Sequence, residues 1–169
     1  MKRYLITLIY STLAILIVAY LFRIMLWDGS KDLLWAGFWM HIATYIGYSL
    51  LVKEKDNRMM YPLMILVLVV LLGNFDFNLP IMVANAIGLV IMFAYVAFHL
   101  FVPNYLDKTT VPKLNTVSII VLVICALAIA FKLLKFPMVD VLLLVGCSSL
   151  ALLVLITGVT KGLTPKSKT

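Results

Sequence analysis

Acidic side chains are scarce in this chain. Asp and Glu together number 7 in 169 residues, and charged residues of both signs make up 12%. No acid lies deep within an apolar run, which counts against a carboxylate relay or a cation transporter of the kind that relies on buried Asp or Glu. Cysteine is equally sparse: Cys125 and Cys147 both fall inside apolar runs and read as small apolar helix residues, not as a disulfide or metal ligands. There is no Walker loop, zincin helix, CxxC pair or nucleophile elbow, so no enzyme, no metal site and no cofactor is expected. The net charge of +7 comes from cations standing singly between apolar runs, with no basic amphipathic face. That distribution points to membrane topology and away from nucleic acid.

What the chain has is apolar length. Hydrophobic residues make up 64%, and the mean hydropathy is +1.13, whereas a soluble domain is typically about a quarter charged. The expectation is an all-α integral membrane protein, one transmembrane domain over residues 1–169 with membrane lipid as its surroundings. A spanning helix needs about 20 residues, and six runs are read as transmembrane helices: about 4–26, 33–52, 59–77, 79–102, 115–134 and 138–159. The third is the weakest, because Asn74, Asp76 and Asn78 crowd its end. The first follows Lys2 and Arg3 as a signal peptide would, but it is long for an h-region and lacks a small-x-small site before Arg23. It is read as a retained helix.

Orientation follows from the cations. One side collects ten (Lys2, Arg3, Lys53, Lys55, Arg58, Lys108, Lys113, Lys161, Lys166 and Lys168), and the other has four (Arg23, Lys31, Lys132 and Lys135). The positive-inside rule then places both termini in the cytoplasm of a bacterial cell, with the chain in the inner membrane. Aromatic residues near both ends of the runs fit an interfacial belt.

Two connections share a pattern. Arg23, Trp27 and Gly37 are a cation, an aromatic four residues on and a glycine ten further; Lys132, Phe136 and Gly146 repeat that spacing, with Asp140 just after the second turn. Asn74, Asn78 and Gly88 offer a fainter copy. The expectation is that the helices form hairpins, the first and last being internal repeats of one unit. The same residues also have a plain structural reading. The cations sit where a long stem can reach the interface and meet the helix dipole, and the glycines let helices approach. Asp140 is placed to pair with Lys132 or Lys135, an exposed pair that would contribute at most about 1 kcal/mol.

This turn, followed by a Leu-rich, glycine-containing helix, resembles the transmembrane hairpin of the L subunit, the stator, of the Bacteroidota gliding-motility and type IX secretion motor. Trp27, Gly29, Asp32 and Gly37 carry the resemblance, and Phe136, Pro137, Asp140 and Gly146 echo it. It covers about forty residues per hairpin and implies kinship of the hairpin with that of a subunit of a proton-driven membrane machine, not of the whole machine. The chain departs from that pattern where the stator carries a glutamate four residues after the glycine: His41 stands there in the first copy and Leu150 in the second.

His41 lies near the middle of the second run, with Thr44, Tyr45 and Tyr48 on one helical face. An intramembrane histidine is a functional candidate because it is costly unless paired, and its ordinary pKa near 6.5 suits proton exchange. It reads equally as a packing residue bonded to Tyr45 or to a neighbouring helix. Asn85 could bridge to it, and His99 reads as interfacial. Two roles are therefore expected to compete: a non-catalytic subunit packed among other integral membrane subunits of an ion-driven motor or secretion complex, or a small proton-linked transporter or channel with a polar path around His41.

Overall fold

The computed structural model describes residues 2–52, 62, 81–101, 112–134, 136, 137 and 139–163, and of residues 2, 81–89, 112–115, 133 and 161–163 the backbone alone. Among them are five helices: α1 (Lys2–Ile24), α2 (Ser30–Leu51), α3 (Ile81–Phe101), α4 (Pro112–Leu133) and α5 (Val139–Leu163). The all-α class stands. Pro112 opens α4 at a position where the missing N–H has no intrahelical role.

The expectation of six transmembrane helices is corrected. Among the described residues, two helices are long and apolar enough to cross a membrane: Arg3–Ile24, at a mean hydropathy of 2.4, and Val139–Thr160, at 2.6. Within the residues whose side chains are described, the apolar stretches of α3 and α4 are Val90–Phe101 and Thr116–Lys132. α2 has the length, but its inward stripe of His41, Thr44, Tyr45 and Tyr48 sets rings and hydroxyls where an ordinary span has aliphatic carbon. Counting uncharged length treated those groups as apolar, which is why α2 was read as an ordinary span. The run expected at 59–77 lies outside the described residues, Pro62 excepted.

The recurring turn pattern encodes a helix stop. At the end of α1, Trp27 N–H donates to the Phe22 carbonyl at 3.0 Å and Leu26 N–H to that of Arg23 at 3.3 Å. Leu26 takes a left-handed φ of 56°, and the Phe22 and Trp27 rings meet edge to face at 4.6 Å. This is a Schellman stop with its accompanying apolar contact. At the end of α4, Phe136 N–H donates to the Phe131 carbonyl at 3.0 Å, and those two rings lie 5.3 Å apart. The cation and aromatic of the shared spacing thus fall on helix stops, while Gly37 and Gly146 lie within the helices that follow. The second turn is further fastened by an exposed ion pair between Lys132 and Asp140.

α1 is the central helix. It lies between α2 and α5, α4 packs on the far side of α5, and α3 touches both α1 and α4. The start of α1 meets the end of α5: the Thr7 hydroxyl donates to the Gly158 carbonyl at 3.1 Å, and a Cβ on Gly158 would sit 2.3 Å from Tyr10 Cβ. Only glycine permits that approach. Buried apolar side chains along this seam include Ile9, Leu13, Leu150 and Val154. Hydroxyls within helices bond back to their own turns, as Ser11 does to Thr7 at 2.9 Å and Thr157 to Leu153 at 2.8 Å. They are thereby satisfied without water.

Candidate functional site

The most concentrated polar chemistry among the described residues is a buried cluster where α1, α2 and α3 meet. Its frame is two pairs at helical i, i+4 spacing: His41 and Tyr45 on α2, Tyr95 and His99 on α3. Residues four apart share a face, so each helix presents one imidazole and one phenol in the same direction. The pairs interlock crosswise. His41 Nε2 is 2.7 Å from the Tyr95 hydroxyl, and His99 Nε2 is 2.5 Å from the Tyr45 hydroxyl. The two helices are therefore joined by long side chains in a common register.

α1 closes the cluster. Thr12 Oγ1 lies 2.7 Å from His41 Nδ1 and 3.2 Å from Thr44 Oγ1. The Tyr10 hydroxyl donates to the His99 backbone carbonyl at 2.9 Å. His99 Nδ1 meets the Tyr95 carbonyl, one turn back, at 2.9 Å. The rings also pack on each other: His41 with Tyr45 edge to face at 5.1 Å, and His41 with His99 at 6.3 Å between centroids. His41, Tyr45 and Tyr48 are fully buried, and His99 is 5% exposed.

The sequence reading singled out His41, Tyr45 and Tyr48, and all three lie in or beside this cluster on the inward face of α2. Tyr45 packs against His41, but its hydroxyl goes to His99 and not to its own neighbour one turn back. The side chain of Asn85 is outside the described residues. His99, read as interfacial, is instead a buried member of the cluster. Tyr95 and Thr12 were not singled out. A signal for Tyr95 existed: Tyr95–His99 mirrors His41–Tyr45 at the same four-residue spacing. Thr12, one hydroxyl in an apolar run whose hydroxyls mostly back-bond, carried none.

The turn residues form no common site with the cluster. Arg23 and Trp27 belong to the stop of α1, and Lys132, Phe136 and Asp140 to the turn between α4 and α5. Gly37 packs on α1, where its Cβ would lie 3.5 Å from Ile15; Gly146 packs on α4, where its Cβ would lie 3.1 Å from the Cys125 sulfur. No family model, curated protein or solved structure matches the chain.

Proposed function

We propose that this chain is a non-catalytic integral membrane subunit that packs within a larger inner-membrane assembly. The observation that carries the reading is the distribution of its surfaces. Polar side chains of α1, α2 and the last turns of α3 turn inward onto one another, while the outward residues of the described helices are predominantly apolar. On α2 the outward face is aromatic: Trp35 stacks parallel on Trp39 at 6.3 Å, and Phe38 meets both edge to face. On α4 the outward face is Val117, Ile120, Val123, Ile124 and Leu127. An inside-out arrangement of this kind suits lipid and the apolar helices of other subunits. The resemblance of the first turn to a motor stator supports an ion-driven motor or secretion complex of a Bacteroidota cell as the assembly.

The antiparallel seam of α1 and α5 supports the orientation. It brings Lys2 and Arg3 to the same end as Lys161, so the ends of these two helices fall on one side of the membrane. The positive-inside rule makes that side cytoplasmic. An alkaline-phosphatase fusion at Thr169 is expected to be inactive, and an active one overturns the orientation.

Recovery through a C-terminal tag in a gentle detergent tests the subunit reading. A stoichiometric integral membrane partner is expected, and its yield should fall in the Trp35→Ala, Trp39→Ala double variant. Recovery of this chain alone, or only as copies of itself, overturns it.

A further inference from the structure

Both imidazoles of the buried cluster are held at Nδ1 and turn Nε2 onto a phenol of the opposite helix. His99 Nδ1 lies 2.9 Å from the Tyr95 carbonyl, which can only accept, so neutral His99 carries its hydrogen on Nδ1. Its Nε2 is then an acceptor, 2.5 Å from the Tyr45 hydroxyl. His41 Nδ1 lies 2.7 Å from Thr12 Oγ1. That hydroxyl has the Leu8 and Ile9 carbonyls to donate to, at 3.1 and 3.0 Å, so its oxygen can take a hydrogen from His41 Nδ1. His41 Nε2, 2.7 Å from the Tyr95 hydroxyl, can then serve as a ligand. Oxygen groups that fix the outer nitrogen of a histidine in this way are the usual companions of metal-bound imidazole. Among the described residues no three His, Cys, Asp or Glu side chains come together, so any metal held here needs the phenols as well.

We propose that these four side chains bind one copper(II) ion, with His41 Nε2 and His99 Nε2 opposite each other and the Tyr45 and Tyr95 oxygens completing a square. The distances select the shape. With metal–ligand bonds of about 2.0 Å, neighbouring donors stand about 2.8 Å apart in a square plane and about 3.3 Å apart in a tetrahedron. The two histidine–tyrosine contacts, at 2.7 and 2.5 Å, match the square. With the same bond length, two imidazole ring centres lie roughly 6 Å apart across an ion and roughly 4.5 Å apart as neighbours on it. The His41 and His99 centroids are 6.3 Å apart, the separation of rings that face each other. Charge and geometry together select the ion. Binding sends the two phenol protons to water, so a divalent ion with two phenolates and two neutral imidazoles has no net charge. Such a unit escapes the desolvation penalty of a buried charge without any carboxylate. Square coordination by nitrogen and oxygen is the preference of copper(II) and nickel(II), and copper binds the more tightly of the two, whereas zinc favours the tetrahedron. His99 stands two residues before the end of α3, where Phe101 is already exposed, and that end is the way in.

The test loads the purified full chain, its affinity tag removed, with copper(II) alone in detergent and follows absorption and electron paramagnetic resonance. One ion per chain is expected, with a tetragonal resonance split by two imidazole nitrogens and a visible phenolate-to-copper charge-transfer band. A cluster that only clamps the helices together gives neither signal, so the wild-type spectra decide without any variant. Tyr45→Phe and Tyr95→Phe each remove one ligand oxygen and keep the ring. Each should weaken binding about ten-fold or more, since even the outer companions of a metal ligand contribute about 10–100-fold. The double variant should lose the charge-transfer band. Tyr10→Phe removes a buried hydroxyl that goes to the His99 backbone carbonyl and is no ligand, so its affinity and spectra should match the wild type. Copper that binds without the phenolate band, or with the same spectrum in the double variant, is an adventitious ion only and overturns the site. So does a loss in Tyr10→Phe equal to that in the ligand variants. The site does not rest on the subunit reading: recovery as a lone chain leaves the copper spectra standing, and a recovered partner does not rescue a chain that binds none.

Discussion

The pair α1–α2 and the pair α4–α5 are closed by opposite means. Between α1 and α2 the side chains of His41, Thr44 and Thr12 meet, and hydrogen bonds cross the interface. Between α4 and α5 the contact is made by small groups, with Cys125, Ala128, Gly146 and Cys147 all buried. The two pairs nevertheless carry the same cation–aromatic–glycine spacing. A Cβ on Gly37 would make ordinary contact with Ile15 at 3.5 Å, whereas one on Gly146 would press on the Cys125 sulfur at 3.1 Å and its Cα at 3.6 Å. One sequence signature therefore serves two packings, and what stands opposite the glycine decides which.

The largest expected effect lies where the two halves join. Gly158→Ala places a carbon 2.3 Å from Tyr10 Cβ, and neither backbone can yield without parting α1 from α5. A loss of about 3 kcal/mol is expected, at the upper end of ordinary overpacking. Because Tyr10 also bonds the His99 carbonyl, the damage should reach the polar half. Thermal unfolding in detergent, followed by size-exclusion fluorescence, would show it. A wild-type melt would mean that the two helices do not cross at Gly158.

Gly146→Ala and Gly37→Ala sharpen the comparison directly. Gly146→Ala should cost about 1–2 kcal/mol through the 3.1 Å approach to sulfur, while Gly37→Ala should stay within about 0.5 kcal/mol of the wild type. Adding Cys125→Ala removes the obstructing atom, so the Gly146→Ala cost should largely vanish in the double variant. Equal costs at the two glycines would abolish the distinction drawn between the pairs.

The polar half is probed by Thr12→Val, which keeps shape and deletes the hydroxyl facing His41 and Thr44. Interhelical hydrogen bonds within membranes contribute about 1 kcal/mol or less. The expected loss is therefore about 1 kcal/mol, well below that at Gly158. A loss of several kcal/mol would mean that the whole cluster collapses when one member is removed.

These sites differ in how far they could be read from sequence. The helical class was legible in apolar length alone, and so was the inward face of α2, because His41, Thr44, Tyr45 and Tyr48 recur at helical spacing. The number of spanning helices was not, since length without charge does not distinguish an aliphatic helix from one lined with imidazole and phenol. His99 was misplaced because its depth was judged from its position in the run. Its partner lies 54 residues away on another helix, and periodicity within one segment carries no information about a neighbour. The tightest crossing, at Gly158, depends on Tyr10 standing opposite it across almost the whole chain. Only the helix stop was encoded locally: Phe22 and Trp27 are close enough in sequence for their contact to be written in one turn.

That stop supplies the smallest predicted effect, and one of opposite sign to the rest. Leu26 occupies the left-handed position of the Schellman turn at a φ of 56°, where a side chain costs about 1 kcal/mol. Its side chain is 79% exposed, so little packing is lost when it is removed. Leu26→Gly relieves the backbone cost, against a smaller penalty from the freer unfolded chain, and should stabilise the protein by about 0.5 kcal/mol. Three residues on, Gly29 holds a φ of 74° with nothing within 4 Å of a prospective Cβ. Gly29→Ala should therefore destabilise by about 1 kcal/mol for the reason that Leu26→Gly stabilises, since neither change involves a neighbour. Melting both variants beside the wild type reads the two signs. If Leu26→Gly also destabilises, the exposed leucine is anchoring the turn in the lipid interface, and the stop depends on more than its backbone.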